Sequence, residues 1–350
     1  MYYGKTLTVT FIPPNHRLTV NIMKNMTIRF ATHTDLPAML TLLNASLGTL
    51  GGIRSSVYWQ WKHLQNPFGV SPVLLAFEGD RMIGLRAFLP WQFSYQGNII
   101  RAFRAVDTAT HPDYQGKGIF TKLTLEMVNL LLKREPAFIF NTPNHKSMAG
   151  YLKMGWQVAG KTPLLVKIHP WNMLQHWVKS AASLPPAAVP DILPPSVIAC
   201  VNEWKLHQQE YLTTDYTESY LRWRYGHVPA LRYGLQWAEQ DEGSCAIFYR
   251  IKSTGRMREL RITDLFYTGK KAKAAVRHAV RQLVKTHQPD VTTMLNDAQG
   301  NVKKVLPGGF FSATRHGLTI TTRTLNDPEL AALAHNQQKW NVSAGTLELF

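Results

Sequence analysis

A chain of 350 residues with 45% apolar side chains, 10 tryptophans and 17% charged residues can bury two sizeable cores, which excludes disorder along its whole length. Its formal charge of +17 is uneven, since residues 1–180 hold 19 of the 39 Lys and Arg but only 7 of the 22 Asp and Glu. That balance suits an anionic partner, whether a nucleotide cofactor, a nucleic acid or an acidic membrane surface. Cys200 and Cys245 stand alone without metal-ligand spacing, so neither a disulfide framework nor a metal site is expected, and a reducing, cytoplasmic setting is.

Residues 1–25 lack signal-peptide architecture, because the apolar piece Leu7 to Ile12 is broken at once by Pro13-Pro14; they are read as an extension outside the fold. A first strand is predicted at 27–31, then a helix from Asp35 to Leu47 with Thr34 as its N-cap. The aromatic stretch Tyr58-Trp-Gln-Trp61-Lys62-His63 reads as another helix. After the Asn66-Pro67 turn come strands near Val73–Glu78, Met82–Trp91 and Ile100–Thr110. A helix from Gly118 sets Ile119, Leu123, Met127, Leu130 and Leu131 near one face. A strand at 137–141, a helix from Lys146 to Lys153 and a strand near Val158–Lys167 follow. Trp171 to Val178 suits a short amphipathic helix, and Pro185, Pro186, Pro190, Pro194 and Pro195 then mark a semi-rigid linker.

The two flanking parts carry a faint repeat. Tyr58-Trp-Gln-Trp61-Lys62-His63 is echoed by Tyr220-Leu-Arg-Trp223-Arg224-Tyr225, and Arg104-Ala-Val-Asp107 by Arg261-Ile-Thr-Asp264. Helix-patterned stretches follow (Ile119 to Lys133, Lys271 to Lys285), then strand-like runs (Ala137 to Asn141, Val291 to Leu295), then Gly155-Trp156 and Gly309-Phe310. Five landmarks in one order point to a duplicated α/β domain, with the extension at 1–25, one unit at 26–170, a linker at 171–196 and a second unit at 197–350.

The chemistry concentrates in Arg104-Ala-Val-Asp-Thr-Ala-Thr-His-Pro-Asp-Tyr-Gln-Gly-Lys-Gly-Ile-Phe120. A strand runs through a glycine turn straight into a helix, which exposes the free amides and the positive dipole end of the first helical turn. Gly116 and Gly118 let the backbone approach a phosphate, and Lys117 adds charge, so the turn can cradle a pyrophosphate. The second unit has only Phe266-Tyr-Thr-Gly269-Lys-Lys271 at this place, a poor cradle.

His111-Pro-Asp-Tyr-Gln115-Gly-Lys-Gly118 resembles motif A of the GNAT (Gcn5-related N-acetyltransferase) family, Gln/Arg-x-x-Gly-x-Gly/Ala, with Gln115 and Gly118 at signature positions and Phe120 where Gly or Ala is usual. Asn144-His-Lys-Ser147-Met-Ala-Gly-Tyr151-Leu-Lys-Met-Gly155-Trp156 is similar to that family's closing segment. The resemblance spans most of residues 26–167 and implies an acetyl-CoA (acyl-CoA) co-substrate. Its pantetheine arm would lie along Thr108, Ala109 and Thr110, and its pyrophosphate on Gln115, Gly116, Lys117, Gly118, Ile119 and Phe120. Asn144 and Ser147 would line the arm, and Tyr151 would stand near the thiolate leaving group as general acid. Asp107, on the strand leading to the cradle, is a candidate general base, but the matching Asp264 lacks a cradle, which favours a structural hydrogen bond in both units. His111 and His145 are alternatives. Trp59, matched only by Leu221, is the tryptophan expected to reach a substrate groove.

The resemblance thus implies an α/β (α+β) chain of two GNAT-like mixed-sheet domains in tandem, mostly antiparallel sheet flanked by helices, the second degenerate. The expected activity is direct acyl transfer to a small-molecule amine. The Trp-x-Trp-Lys stretch and the tail Ser343-Ala-Gly-x-Leu-Glu-Leu-Phe350 resemble GNAT proteins of surface-polysaccharide pathways, which makes an amino sugar the first acceptor to consider. An aminoacyl-tRNA-dependent transferase and a non-catalytic acyl-CoA-binding protein are the alternatives. Apart from that tRNA no nucleic acid is expected, and a peripheral membrane contact stays open.

Overall fold

Apolar residues on both alternating sets of Val73-Leu-Leu-Ala-Phe77 require a strand covered on its two faces, and the sheet provides that. The computed structural model describes residues 26–47, 55–133, 138–178, 188–226, 228–240, 242–325 and 327–348. The 1–25 extension and residues 179–187 of the expected linker lie outside them.

The first half runs β1 (Met26–Phe30), α1 (Leu36–Leu47), α2 (Ser56–His63), β2 (Val73–Glu78), β3 (Arg81–Tyr95), β4 (Asn98–Thr110), α3 (Ile119–Leu132), β5 (Phe138–Asn141), α4 (His145–Lys153) and β6 (Gln157–Ile168). Then come α5 (Pro170–Val178), α6 (Pro195–Leu206), β7 (Thr213–Thr214), α7 (Glu218–Leu221), β8 (Gly234–Gln240), β9 (Gly243–Thr254), β10 (Met257–Thr268) and α8 (Ala272–His287). The chain closes with β11 (Val291–Leu295), α9 (Asn301–Val305), β12 (Phe311–Thr324), α10 (Pro328–His335) and α11 (Ala344–Leu347). Part of the expected linker is therefore helical, in α5 and at the start of α6. The first helical entry also differs in detail. Thr32, not Thr34, is the cap, because the Asp35 carboxylate accepts from the Thr32 amide and hydroxyl at 2.7 and 2.8 Å in a reciprocal capping box.

One 12-stranded, mostly antiparallel sheet has the order β1-β2-β3-β4-β5-β12-β6-β11-β10-β9-β8, with β7 beside β3. Within it β4 pairs parallel with β5, and β10 parallel with β11, so each half repeats the same antiparallel-then-parallel pattern. The last strand of each half crosses over. β12 lies between β5 and β6, and β6 lies between β12 and β11.

Opposite faces of β2 and β3 serve two helical layers. Leu74, Ala76, Ile83 and Phe88 pack with Ile119, Leu123 and Met127 of α3, whereas Val73, Leu75, Leu85 and Ala87 pack with Met39, Leu42 and Leu43 of α1. A third core joins the halves, where Trp61 and Trp223 stack with centroids 5.0 Å apart. Each indole N–H donates to the other residue's carbonyl, at 2.9 and 2.8 Å, the reciprocity expected about a local two-fold axis.

Candidate active site

β4 and β5 are paired only from Ala102 to Arg104, opposite Phe138 to Phe140, and then diverge. From there the β5-facing edge of β4, including Thr108, Ala109 and Thr110, has no strand partner among the described residues, while its other edge stays bonded to β3. A fork of this kind offers backbone N–H and C=O groups to an extended, amide-rich ligand.

The fork ends at the glycine turn. Gly116 and Gly118 have φ of 76° and 80°, a region that L side chains avoid, and a Cβ on either would meet nothing within 4 Å. These glycines therefore meet a conformational need, and the space before them is open. Gly118 caps α3, whose first-turn amides face that space without a helical acceptor. Gln115 and Lys117 are exposed beside it, Lys117 Nζ lying 4.5 Å from the centre of the Tyr114 ring. Ile119 can offer only its amide, because its side chain is buried in the core; Phe120 turns its ring towards Tyr151. The corresponding start of α8 is closed: Lys271 N–H donates to the Glu242 carbonyl at 3.0 Å, and a Cβ on Gly269 would lie 2.2 Å from that oxygen.

On the α3 side of the sheet Tyr151 is buried between Phe120 and Trp156, and its phenolic oxygen accepts from Arg86 Nη2 at 2.7 Å. Asn144 caps α4, its side-chain oxygen accepting from the amides of Lys146 and Ser147 at 3.0 Å each and from the Ser147 hydroxyl at 3.2 Å. His111 sits on the surface beside Arg81 and Asp113, and His145 opens α4 in an exposed position.

On the other side, the β3–β4 register slips between Arg86 and Ala87, where Asp107 takes a φ of +31°. The bulge aims Asp107 at α2. Its carboxylate meets Lys62 Nζ at 2.7 Å and His63 Nε2 at 2.9 Å. A carboxylate can only accept, so the His63 proton is on Nε2 and Ser71 Oγ, 2.9 Å from Nδ1, donates to the ring. Burial opposes the charge on Asp107, but Lys62 and then His63 outweigh it and hold the carboxyl well below the usual range. Burial pushes His63 below its ordinary value, against the pull of Asp107. Leu40, Leu43, Tyr58, Trp59, Lys62 and Asp107 surround a small pocket here, and Trp59 itself is buried.

The second half repeats this pairing with other chemistry. Tyr225, at the place of His63, and Tyr216 at 2.9 Å donate to Asp264. Burial raises the Asp264 pKa despite these bonds. Asp264 borders a narrow pocket at the β10–β11 fork, with Asp297 and Tyr267. The segment 343–348 runs between the two forks: Arg104 donates to the carbonyls of Thr346 at 2.5 Å and Leu347, and Arg261 Nη1 meets the Glu348 carboxylate at 2.5 Å.

Lys62 and His63, read from the sequence only as part of a helical landmark, and Arg86, not noted there, join the site. The signal for Arg86 was present, since it is the one charged residue in the run from Met82 to Trp91, and arginine is rarely buried without a reason.

Residues 27–159 match the family model for the acetyltransferase (GNAT) domain. A search of curated proteins found no match. Among solved structures the fold is similar to a GCN5-related N-acetyltransferase from Anabaena variabilis, at a TM-score of 0.61 and 17% identity over 86% of this chain and 73% of that one. A probable N-acyltransferase of Enterococcus faecalis gives 0.64 and 11% over 86% and 72%. A GCN5-related N-acetyltransferase from Kribbella flavida gives 0.59 and 13% over 88% and 73%. At such identities these likenesses speak for the fold, and the match to the acetyltransferase (GNAT) domain model is confined to residues 27–159, the segment that carries the glycine turn and Tyr151.

Proposed function

We propose that the chain is an acyl-CoA-dependent N-acyltransferase with one working site, in which acyl-CoA lies in the β4–β5 fork and passes its acyl group directly to an amine. The observation that carries this reading is the open start of α3 behind Gly116 and Gly118, at the end of an unpaired strand edge. Gln115, Gly116, Lys117, Gly118 and the amides of Ile119 and Phe120 would hold the diphosphate, Thr108 to Thr110 the pantetheine arm, and Asn144 and Ser147 its far wall. The closed start of α8 supports a second unit that is GNAT-like, duplicated and without a cofactor, serving to complete the sheet and shape the acceptor side.

In the reaction the amine attacks the thioester carbonyl, β4 amides at the bulge stabilise the oxyanion, and Tyr151 protonates the departing thiolate. Asp107 is held so firmly ionised that it is a weak proton acceptor; anchoring the acceptor's ammonium suits it better than deprotonating it. The resemblance of the Trp-x-Trp-Lys stretch and of the tail from Ser343 to GNAT proteins of surface-polysaccharide pathways makes an amino sugar the first acceptor to test.

The test is calorimetric titration of acetyl-CoA into wild type and Gly118→Glu. Saturable binding lost in the variant is expected. An absence of binding in wild type overturns the assignment and turns attention to aminoacyl-tRNA.

A further inference from the structure

Arg86 is 1% exposed, and among the described residues no carboxylate pairs with it. Its guanidinium lies over the rings of Phe88, Phe120 and Tyr151, at 4.9, 5.5 and 5.6 Å from their centres. Among the described residues the buried Nε has no partner, and Nη1 reaches the Val106 carbonyl only at 3.5 Å. The one short bond it makes is to the phenolic oxygen of Tyr151, at 2.7 Å. A buried cation whose best partner is a neutral phenol is an unfavourable arrangement by itself. It becomes favourable when that phenol turns into an anion.

We propose that Arg86 is a positioning residue for acyl transfer: by donating to the Tyr151 oxygen it turns the phenolic proton away from itself towards the cleft, and it stabilises the phenolate that forms when this proton is given up. The inference rests on the assignment of Tyr151 as the acid. The amine nitrogen forms the C–N bond as the C–S bond breaks, and sulfur leaves with the electron pair and takes the Tyr151 proton. The proton shed by the amine nitrogen returns through solvent to the phenolate, so the products are amide and CoA thiol. Arg86 gains its counter-charge only along this path, which is stabilisation specific to the transition state. Its place follows from the bulge, since Arg86 pairs with Thr108 on the α3 side while Asp107 is aimed at α2. The leaving-group apparatus and the acceptor carboxylate thus stand on opposite faces of one strand.

The experiment measures thiol release from acetyl-CoA, with glucosamine as acceptor and with water alone, for wild type, Arg86→Met, Arg86→Lys, Tyr151→Phe and Arg86→Met/Tyr151→Phe. Calorimetric acetyl-CoA binding checks folding. Arg86→Met is expected to lower kcat roughly 10- to 100-fold, the worth of a hydrogen bond from a charged donor, with KM for acetyl-CoA changed less than about twofold. Arg86→Lys recovers part of the loss, and carries the test by itself if Arg86→Met fails to bind. In the Tyr151→Phe background Arg86→Met adds less than about twofold. Equal losses in both backgrounds, or a loss confined to KM, overturn the role of Arg86 alone. An unimpaired Tyr151→Phe overturns the acid assignment on which it rests, and absence of thiol release by wild type overturns the transferase reading.

Discussion

Asp107→Asn keeps the shape of the side chain and removes the negative charge facing Lys62 and His63. Asn tolerates a positive φ, so the bulge at +31° is not disturbed and the loss reports the charge. Removing one partner of a buried ion pair costs about 3–5 kcal/mol. Lys62 is 4% exposed but the Asp107 side chain is 26% exposed, which places the expected loss near the low end, ~3 kcal/mol. Asp107→Ala adds about 1 kcal/mol, because Ala lacks the polar side chain that eases this backbone conformation. Urea unfolding at pH 7.5, followed by tryptophan fluorescence, measures both. Lys62→Met in the Asp107→Asn background removes the buried cation that has lost its carboxylate and is expected to restore at least half of the loss. A loss below about 1 kcal/mol for Asn, or no recovery in the double variant, refutes the claim that this pair is effectively buried.

Stability falls with acidity through the buried histidines. Burial lowers the pKa of His63 and His287 in the folded chain, so the unfolded chain binds more protons as pH drops below ~6.5. Each costs up to about 1.4 kcal/mol per pH unit between the unfolded and folded values, and His63→Gln is expected to flatten a series of urea midpoints from pH 7.5 to 5.5. Trp61→Phe and Trp223→Phe each strand a buried carbonyl, at a cost of about 1–3 kcal/mol by urea unfolding, and the reciprocal geometry predicts losses of similar size. Ending the chain before Phe311 removes the strand between β5 and β6, and loss of acetyl-CoA binding is expected even though every residue of the cradle remains.

Features written in short stretches were legible in the sequence. The strand, the Gly-x-Gly turn and α3 are consecutive, so local periodicity and two glycines suffice to place that turn at the start of the helix. The pairs Asp107 with His63 and Asp264 with Tyr225 each join two landmarks of the repeat, but recurrence in order does not say which landmarks touch. Strand order was not legible. Nothing in Phe311–Thr324 specifies insertion between β5 and β6, since an alternating strand fits any open edge. The cap at Thr32 was missed because Asp35 looks like an ordinary first-turn acid until its bonds to Thr32 and Arg29 are seen. Arg86 was missed because a single residue carries no spacing.

The crossing of β6 and β12 also sets a timetable for biosynthesis. The cradle and Tyr151 leave the ribosome well before β12 exists, by about 150 residues, or roughly 8 to 30 s at ordinary elongation rates. Throughout that interval β5 lacks β12, the neighbour it has in the finished sheet, and an open edge of this kind invites pairing with other chains. A nascent chain therefore needs shielding for as long as its last strand is unmade, and a prematurely terminated product would be a target for quality control.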